Sequence, residues 1–441
     1  DHYEFRLVGE ALAEREVLLR AAPHIIEPLI FVLPHEPHLR PAWMIRAGLF
    51  LYDRLGGRMT LPKSFAVDLD HTAYGAGLKP RFHRGFAYAD ARVDDARLVV
   101  CNAIDARDHG AEIRVRTMLQ HATRDNGYWR ATLVDNAGTR EVMARAIVNA
   151  AGPWVCHVLQ EVSDAPVHAK VRHVKGSHLV VPRVHDEQHA YILQNADNRI
   201  VFIIPYQDHY SLIGTTDVPV ESYEHPAISE EETYYLLTLA NAYLERPLAS
   251  TDIVWTYSGV RPLYDDGTTD PSAITRDYVL KLDSAGNGAR DARAPVLSVF
   301  GGKITTYRKL AEAALAELKP FFPQMKAEWT RDAVLPGGDL PKGDRDAWVT
   351  ELERRYPRLP PPLLRALARR YGTRTVGLLN GATSMDDLGE DFGAGLTARE
   401  IEYLRAEEWA TTAEDILWRR TKCGLAMTQA QRSRVEARVG E

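Results

Sequence analysis

The residues of this sequence that can do chemistry gather where apolar strand patterns break into turns. In Val148-Asn149-Ala150-Ala151-Gly152-Pro153-Trp154 a buried strand pattern runs straight into a glycine, and such a turn lets backbone approach a nucleotide closely. In Val299-Phe300-Gly301-Gly302-Lys303-Ile304-Thr305-Thr306-Tyr307-Arg308 two glycines and a cation open a helix pattern, where unpaired N–H groups and the positive dipole end favour an anion or electron-rich atom. In Trp255 to Leu263, Arg261 stands at a strand end and offers a planar fork of donors matched to carboxylate or phosphate, with Arg276 shortly after. Lys175-Gly176-Ser177-His178 interrupts an apolar strand, and a neutral imidazole at His178 can take a hydroxyl proton. Each of these also reads, alone, as a tight turn, a solvated ion pair or a structural histidine.

The elements that must position these residues follow from periodicity. Helices are expected from the first residues to Arg20, over Ala42 to Leu55, and from Asp94 or Asp95 to Gly110. Glu112 to Thr123, Tyr128 to Val134 and Glu141 to Asn149 read as strands parted by Asp125-Asn126-Gly127 and Asn136-Ala137-Gly138, a meander feeding the Gly152 turn. Val171 to Val181, Ala190 to Gln194, Arg199 to Ile204 and Ser211 to Gly214 are Val/Ile-rich strands suited to a sheet buried on at least one face. Ser229-Glu230-Glu231-Glu232 starts a helix as a capping box. Further strands are expected over Ile253 to Arg261, Tyr278 to Leu282 and Val296 to Phe300, then a helix through Lys309 to Leu318. Helices follow from about Trp329, Thr411-Thr412-Ala413-Glu414 capping the last clear one.

Composition narrows the function classes. A chain of 441 residues with 45% hydrophobic and 26% charged residues is an ordinary globular protein of about two or three domains. With 54 Lys+Arg against 60 Asp+Glu and a net charge of -6 there is no global basic field for nucleic acid. Cys101, Cys156 and Cys423 lie far apart without CxxC spacing, which argues against a disulfide framework or a zinc site and fits a reducing cytoplasm; no metal is expected. No apolar run reaches the length that spans a bilayer, since Ile25 to Leu33 is broken by Glu27 and Pro28. Ala42 to Leu55, with Arg40, Arg46, Arg54, Arg58 and Lys63 around it, reads either as an interfacial amphipathic anchor or as a buried helix with snorkelling arginines.

Taken together, these blocks resemble the FAD-dependent glycerol-3-phosphate dehydrogenases of the aerobic bacterial type, over nearly the whole chain. The resemblance is carried by the Asp1 to Val8 opening, Leu39 to Arg46, Val93 to Val99, Lys175 to His178, Ile213-Gly214-Thr215-Thr216-Asp217, the Arg261 and Lys303 blocks, and Asp387 to Gly393. It implies a mixed α/β fold of the two-dinucleotide-binding-domain flavoprotein kind. An FAD-dependent oxidoreductase domain would occupy 1–165 and 290–328, an antiparallel-sheet substrate domain 166–289, and an all-α C-terminal domain 329–441. It also implies oxidation of sn-glycerol 3-phosphate to dihydroxyacetone phosphate, with hydride passing from C2 to FAD and electrons on to ubiquinone or menaquinone.

In that scheme His178, Arg261 and Lys303 are the catalytic candidates, and Arg261, Arg276 and Lys303 bind substrate. Gly152, Gly301, Gly302, Lys303 and Thr305 border FAD. The expected setting is the cytoplasm, peripherally on the inner membrane, with a homodimer as a further expectation. The chain departs from the family at its start, where a strand-GxGxxG-helix unit and a His-Gly-Gly-Leu-Arg stretch are expected; roughly 55 residues are missing by the length of such a unit. The sequence therefore reads as an N-terminally incomplete copy, whose FAD affinity is expected to collapse without that unit. Competing readings are a glycerol-3-phosphate oxidase using O2, an amino-acid oxidase, and a non-catalytic fragment.

Overall fold

The computed structural model describes residues 5–36, 41–57, 59–163, 165, 170–195, 197, 199–265, 277–284 and 294–440. Its strands are β1 (Ile26–Pro34), β2 (Phe65–Asp68), β3 (Arg84–Val93), β4 (Met118–Asp125), β5 (Tyr128–Asp135), β6 (Gly138–Ala144), β7 (Ile147–Asn149), β8 (Lys170–Pro182), β9 (Ala190–Gln194), β10 (Ile200–Tyr206), β11 (Tyr210–Gly214), β12 (Val218–Pro219), β13 (Trp255–Asp265), β14 (Val279–Asp283), β15 (Val296–Phe300), β16 (Asp391–Gly393) and β17 (Leu396–Thr397). The helices are α1 (Phe5–Ala21), α2 (Ala42–Leu55), α3 (Asp95–Asp108), α4 (Val155–His157), α5 (Glu230–Tyr243), α6 (Tyr307–Leu318), α7 (Arg345–Arg355), α8 (Pro361–Tyr371), α9 (Thr375–Leu378), α10 (Ala398–Glu408) and α11 (Gln429–Gly440).

The described residues form two compact units. The first comprises those within Asp1–Glu14, Ile30–Ala89 and Arg116–Glu328; the second, those within Arg15–Leu29, Asp90–Val115 and Trp329–Glu441. The 329 boundary read from sequence is the start of the last segment of the second unit, but α3 and the stretch before it also belong there. Beside its buried Leu98, Val100, Cys101 and Ile104, α3 makes ion pairs within this unit: Arg97, almost fully buried, gives a bidentate ion pair to buried Glu408 of α10, and Lys422 pairs with Asp94. A buried guanidinium left without that carboxylate would be costly, so α3 stays with the C-terminal helices. Residues 166–289 and the cofactor part likewise fall within one unit.

In the first unit a nine-stranded sheet runs β12-β8-β11-β10-β9-β1-β3-β2, with β13 on the other edge of β8. Leu179, Val181, Leu193, Val201, Ile203 and Ile213 pack beneath it against Leu236, Leu239 and Tyr243 of α5, so one face is a helix-covered core. A second sheet, β14-β15-β7, sets β7 parallel to β15 with Asn149 opposite Ser298, and the β4-β5-β6 meander packs Trp129 and Ala131 against Val296 and Phe300. Glu14 of α1 accepts from Arg308 of α6 at 2.6 and 2.8 Å, which ties the opening helix to the helix after the Gly301 turn.

Several local expectations change. The strand expected from Glu112 begins at Met118, because Arg116 takes a left-handed φ of 51° and pairing with β5 starts at Met118 opposite Val134. The Ile25 to Leu33 run, read only as too short for a membrane, is β1, with Phe31 and Val32 parallel to Ala190 and Tyr191 of β9. Arg261 is inside β13 rather than at a strand end. After the capped Asp415–Arg420 segment, in which Ile416 and Leu417 are buried, a further helix, α11, follows; its Gln- and Arg-rich sequence shows little apolar periodicity, yet Val435 and Val439 are buried. The helical unit also contains the β16–β17 hairpin.

On the loop between β8 and β9, His185 and His189 stack with ring centroids 4.5 Å apart, edge-on to Tyr191. Burial, then Arg183, pushes His185 down to about 4; burial, then His185, pushes His189 down to about 3. Because both folded values lie below the unfolded one, the stability they contribute is full above pH 6.5 and is lost as pH falls towards 4. Urea unfolding of wild type and His189→Phe at pH 7.5 and 5 should show wild type losing roughly 2 kcal/mol more than the variant. Equal losses would contradict the assignment.

Candidate active site

The site is built on β8 and its neighbour β13, which pair antiparallel from Trp255 opposite Val180 to Asp265 opposite Lys170. Side chains alternate along a strand, so the Lys175-Gly176-Ser177-His178 stretch divides between two faces. Lys175 and Ser177 point under the sheet to Glu232 of α5, whereas Gly176 and His178 face the other side. On β13 the same alternation puts Tyr257, Gly259 and Arg261 on the His178 face.

His178 lies flat on Tyr257, ring centroids 4.8 Å apart and planes within 9°. Its ring also covers Gly214 of β11, where a Cβ would come within 2.2 Å of His178 Cδ2, so only glycine fits. Nδ1 of His178 is buried with no hydrogen-bond partner among the described residues. Burial, and then the positive charge of Arg261, push its pKa down to about 4, so the imidazole is neutral at pH 7.

Arg261 folds back along the sheet over Gly176, where a Cβ would lie 2.8 Å from its Nη2. It donates to Asp217 Oδ1 at 2.6 Å and to the carbonyl of Thr216 at 3.2 Å. With Arg261 and Asp217 side chains 43% and 41% exposed, this ion pair is open to solvent and can exchange its carboxylate for another anion. At about 3.3 Å of rise per residue, Gly176 and His178 are about 7 Å apart along β8, so a guanidinium and a neutral imidazole share one short stretch of sheet face.

The two glycine turns converge on the same strands. They follow β7 and β15, parallel neighbours, and so leave the sheet at the same carboxyl ends, the usual ligand side of parallel strands. Gly152 has φ +57° and open space where a Cβ would stand, and the carbonyl of Pro153 accepts from His173 Nε2 of β8 at 3.1 Å. Gly301 and Gly302 have φ of +70° and +104°, and a Cβ on Gly301 would lie 3.6 Å from the carbonyl of Pro262, next to Arg261.

Lys303 then caps a 3₁₀ turn, Ile304–Thr306, and α6 begins only at Tyr307, one turn later than the sequence pattern implies. Gly302, Ile304 and Thr305 are exposed there. These turns fit a dinucleotide cofactor: glycines at left-handed φ where parallel strands end, with exposed residues in front of them. Arg276 lies outside the described residues. The group of described residues with metal-ligand composition, Asp68, Asp70 and His71, is exposed after β2, at the other end of the sheet order from β8.

Sequence reasoning singled out His178 and Arg261 but missed Tyr257, and it read Glu232 only as a helix cap. The signal for Tyr257 was present in the two-residue spacing Tyr257, Gly259, Arg261, which mirrors Gly176 and His178.

The chain is similar to known proteins over nearly its whole length. Residues 1–289 match the family model described as FAD dependent oxidoreductase, and residues 329–439 match that of the C-terminal domain of alpha-glycerophosphate oxidase. The chain is 53% identical over 437 residues to a glycerol-3-phosphate dehydrogenase of Pseudomonas aeruginosa, covering 99% of this chain and 84% of that protein. It is 50% identical to the aerobic glycerol-3-phosphate dehydrogenase of Escherichia coli, covering 99% and 86%. It is also 48% identical to a D-erythritol 1-phosphate dehydrogenase of Brucella abortus, covering 98% and 86%. In fold it is similar to the glycerol-3-phosphate dehydrogenase of Bacillus halodurans complexed with FAD, with a TM-score of 0.75 at 23% identity over 98% of this chain and 84% of that one. The chain belongs to the family of FAD-dependent glycerol-3-phosphate dehydrogenases.

Proposed function

We propose that the chain oxidises sn-glycerol 3-phosphate to dihydroxyacetone phosphate and passes the electrons to a membrane quinone. The observation that carries this reading is the pairing of a solvent-open guanidinium, Arg261, with a neutral imidazole, His178, on one sheet face. A phosphate dianion replaces Asp217 on Arg261 and gains a stronger, charge-assisted bond. The remaining carbons then extend along the sheet towards His178, whose nitrogen takes the proton of the C2 hydroxyl. Neutralising Arg261 by phosphate removes part of the field that lowers the His178 pKa, so the base strengthens when substrate is in place.

The Gly152 turn, Gly301, Gly302, Lys303 and Thr305 would hold FAD, which would supply the acceptor for the C2 hydride. Arg276, beyond β13 in sequence, and Lys303, at the Gly301 turn, are the further substrate contacts in this scheme. The acceptor preference is supported by α2. None of its residues is buried, and Trp43 (69% exposed), Met44, Phe50 and Leu51 face outward beside Arg46 and Arg54, a pattern suited to an anionic lipid surface. No helix among the described residues is long and apolar enough to cross a membrane.

Steady-state assays of the FAD-loaded protein with a dye acceptor test the site. Arg261→Ala should cost about 2 to 5 kcal/mol in kcat/KM for glycerol 3-phosphate, mostly through KM. His178→Gln should lower kcat by about a hundredfold or more. Wild-type KM in Arg261→Ala would contradict the phosphate role. D-erythritol phosphate in the same assay separates the two polyol phosphates, and peroxide yield separates quinone from oxygen as acceptor. For the membrane reading, Trp43→Glu/Phe50→Glu should abolish flotation with anionic liposomes that wild type shows at low salt, and flotation unchanged by the substitutions would contradict it.

A further inference from the structure

Behind the Arg261 face lies a buried carboxylate that a helix cap alone does not require. Glu232 is the third residue of α5, and a capping box asks of it a single bond, which Oε2 makes to the Ser229 N–H at 2.9 Å. Yet Glu232 is only 5% exposed and takes three more donors. Lys175 Nζ reaches Oε2 at 2.8 Å, while Ser177 Oγ and Thr216 Oγ1 reach Oε1 at 2.9 and 2.7 Å. Burial pushes the Glu232 pKa up, but these donors, Lys175 first, outweigh it and hold the group below its ordinary value, so it is charged at neutral pH.

The three extra donors come from segments that hold Arg261. Lys175 and Ser177 belong to β8, and Ser177 Oγ continues to Ser258 Oγ of β13 at 2.8 Å, three residues from Arg261. Thr216, almost fully buried, also accepts from the Ser177 N–H at 2.9 Å, and its carbonyl receives the Arg261 guanidinium. The next residue, Asp217, supplies the carboxylate on Arg261. The Thr215–Asp217 segment is thus pinned from beneath the sheet by Glu232 and touches Arg261 from above.

We propose that Glu232 is a positioning residue for phosphate binding, fixing the Thr215–Asp217 segment through the Thr216 hydroxyl and so holding Arg261 over Gly176. The inference deepens the reading above and rests on Arg261 as the phosphate contact. Glu232 touches no substrate in this scheme. Its removal loosens the Thr216 carbonyl, the guanidinium's backbone partner that phosphate does not displace, so the loss falls on recognition of phosphate more than on proton transfer at His178.

The test is a double-mutant cycle on the FAD-loaded protein, read by calorimetric binding of sn-glycerol 3-phosphate and by KM and kcat. Glu232→Gln should weaken binding about tenfold, with KM rising by more than kcat falls, and the same substitution in an Arg261→Lys background should weaken it less than about twofold. Thr216→Val should reproduce the Glu232→Gln defect and Thr216→Ser should restore binding, which keeps the test intact if Glu232→Gln folds poorly. Equal fold-losses in both backgrounds, or wild-type binding in Thr216→Val, would overturn the inference while leaving the proposed function standing. Absence of glycerol 3-phosphate binding by wild type would overturn the functional reading, and the inference with it.

Discussion

The pairing of β13 with β8 is the constraint on which the rest depends. Because the two strands run antiparallel in unbroken register from Trp255 to Asp265, the two-residue alternation of each is locked to the other, and their side chains sort into two faces. A slip of β8 by one residue against its neighbours would send His178 into the α5 core, away from Arg261, and bring Lys175 and Ser177 out. The charged Glu232, sunk in that core with donors from β8 and from the Thr216 segment, makes such a slip expensive, since its partners would leave it unpaired. One buried carboxylate thus serves register, helix start and the placement of a cation on the opposite face.

Glycine has a specific steric part in this arrangement. At Gly214 and Gly176 a single Cβ would collide with the His178 ring and with the Arg261 guanidinium, so the two chemically active groups lie in spaces that glycine leaves on the sheet surface. At Gly152 and Gly301 the requirement is conformational, since both take left-handed φ where parallel strands end. The helical unit is held differently: a core of Leu352, Leu364, Leu367, Ile401 and Leu404, with the Arg97–Glu408 pair buried in the same unit.

Much of this was legible in the residues. The capping box at Ser229, the Asp94 cap of α3, the two hairpin turns of the meander and both glycine turns are local signals, and local physics decides them. His178 and Arg261 stood out because a histidine and an arginine on apolar strands need a reason to be there. What sequence alone missed is non-local. The membership of α3 in the helical unit depends on Glu408, more than three hundred residues away in sequence, and the second role of Glu232 depends on Thr216 and Ser177, which only folding brings beneath the sheet. The late start of β4 turns on one left-handed residue, Arg116, whose type carries no such signal.

The central claim is that one sheet face, bearing His178 and Arg261, receives a phosphorylated polyol. A crystal structure of the FAD-loaded protein with bound glycerol 3-phosphate tests it most directly. The phosphate is expected within hydrogen-bond distance of the Arg261 guanidinium, with Asp217 displaced, and the C2 hydroxyl directed at the His178 ring. Phosphate bound away from Arg261 with the Arg261–Asp217 pair intact, or a C2 hydroxyl directed away from His178, would contradict it.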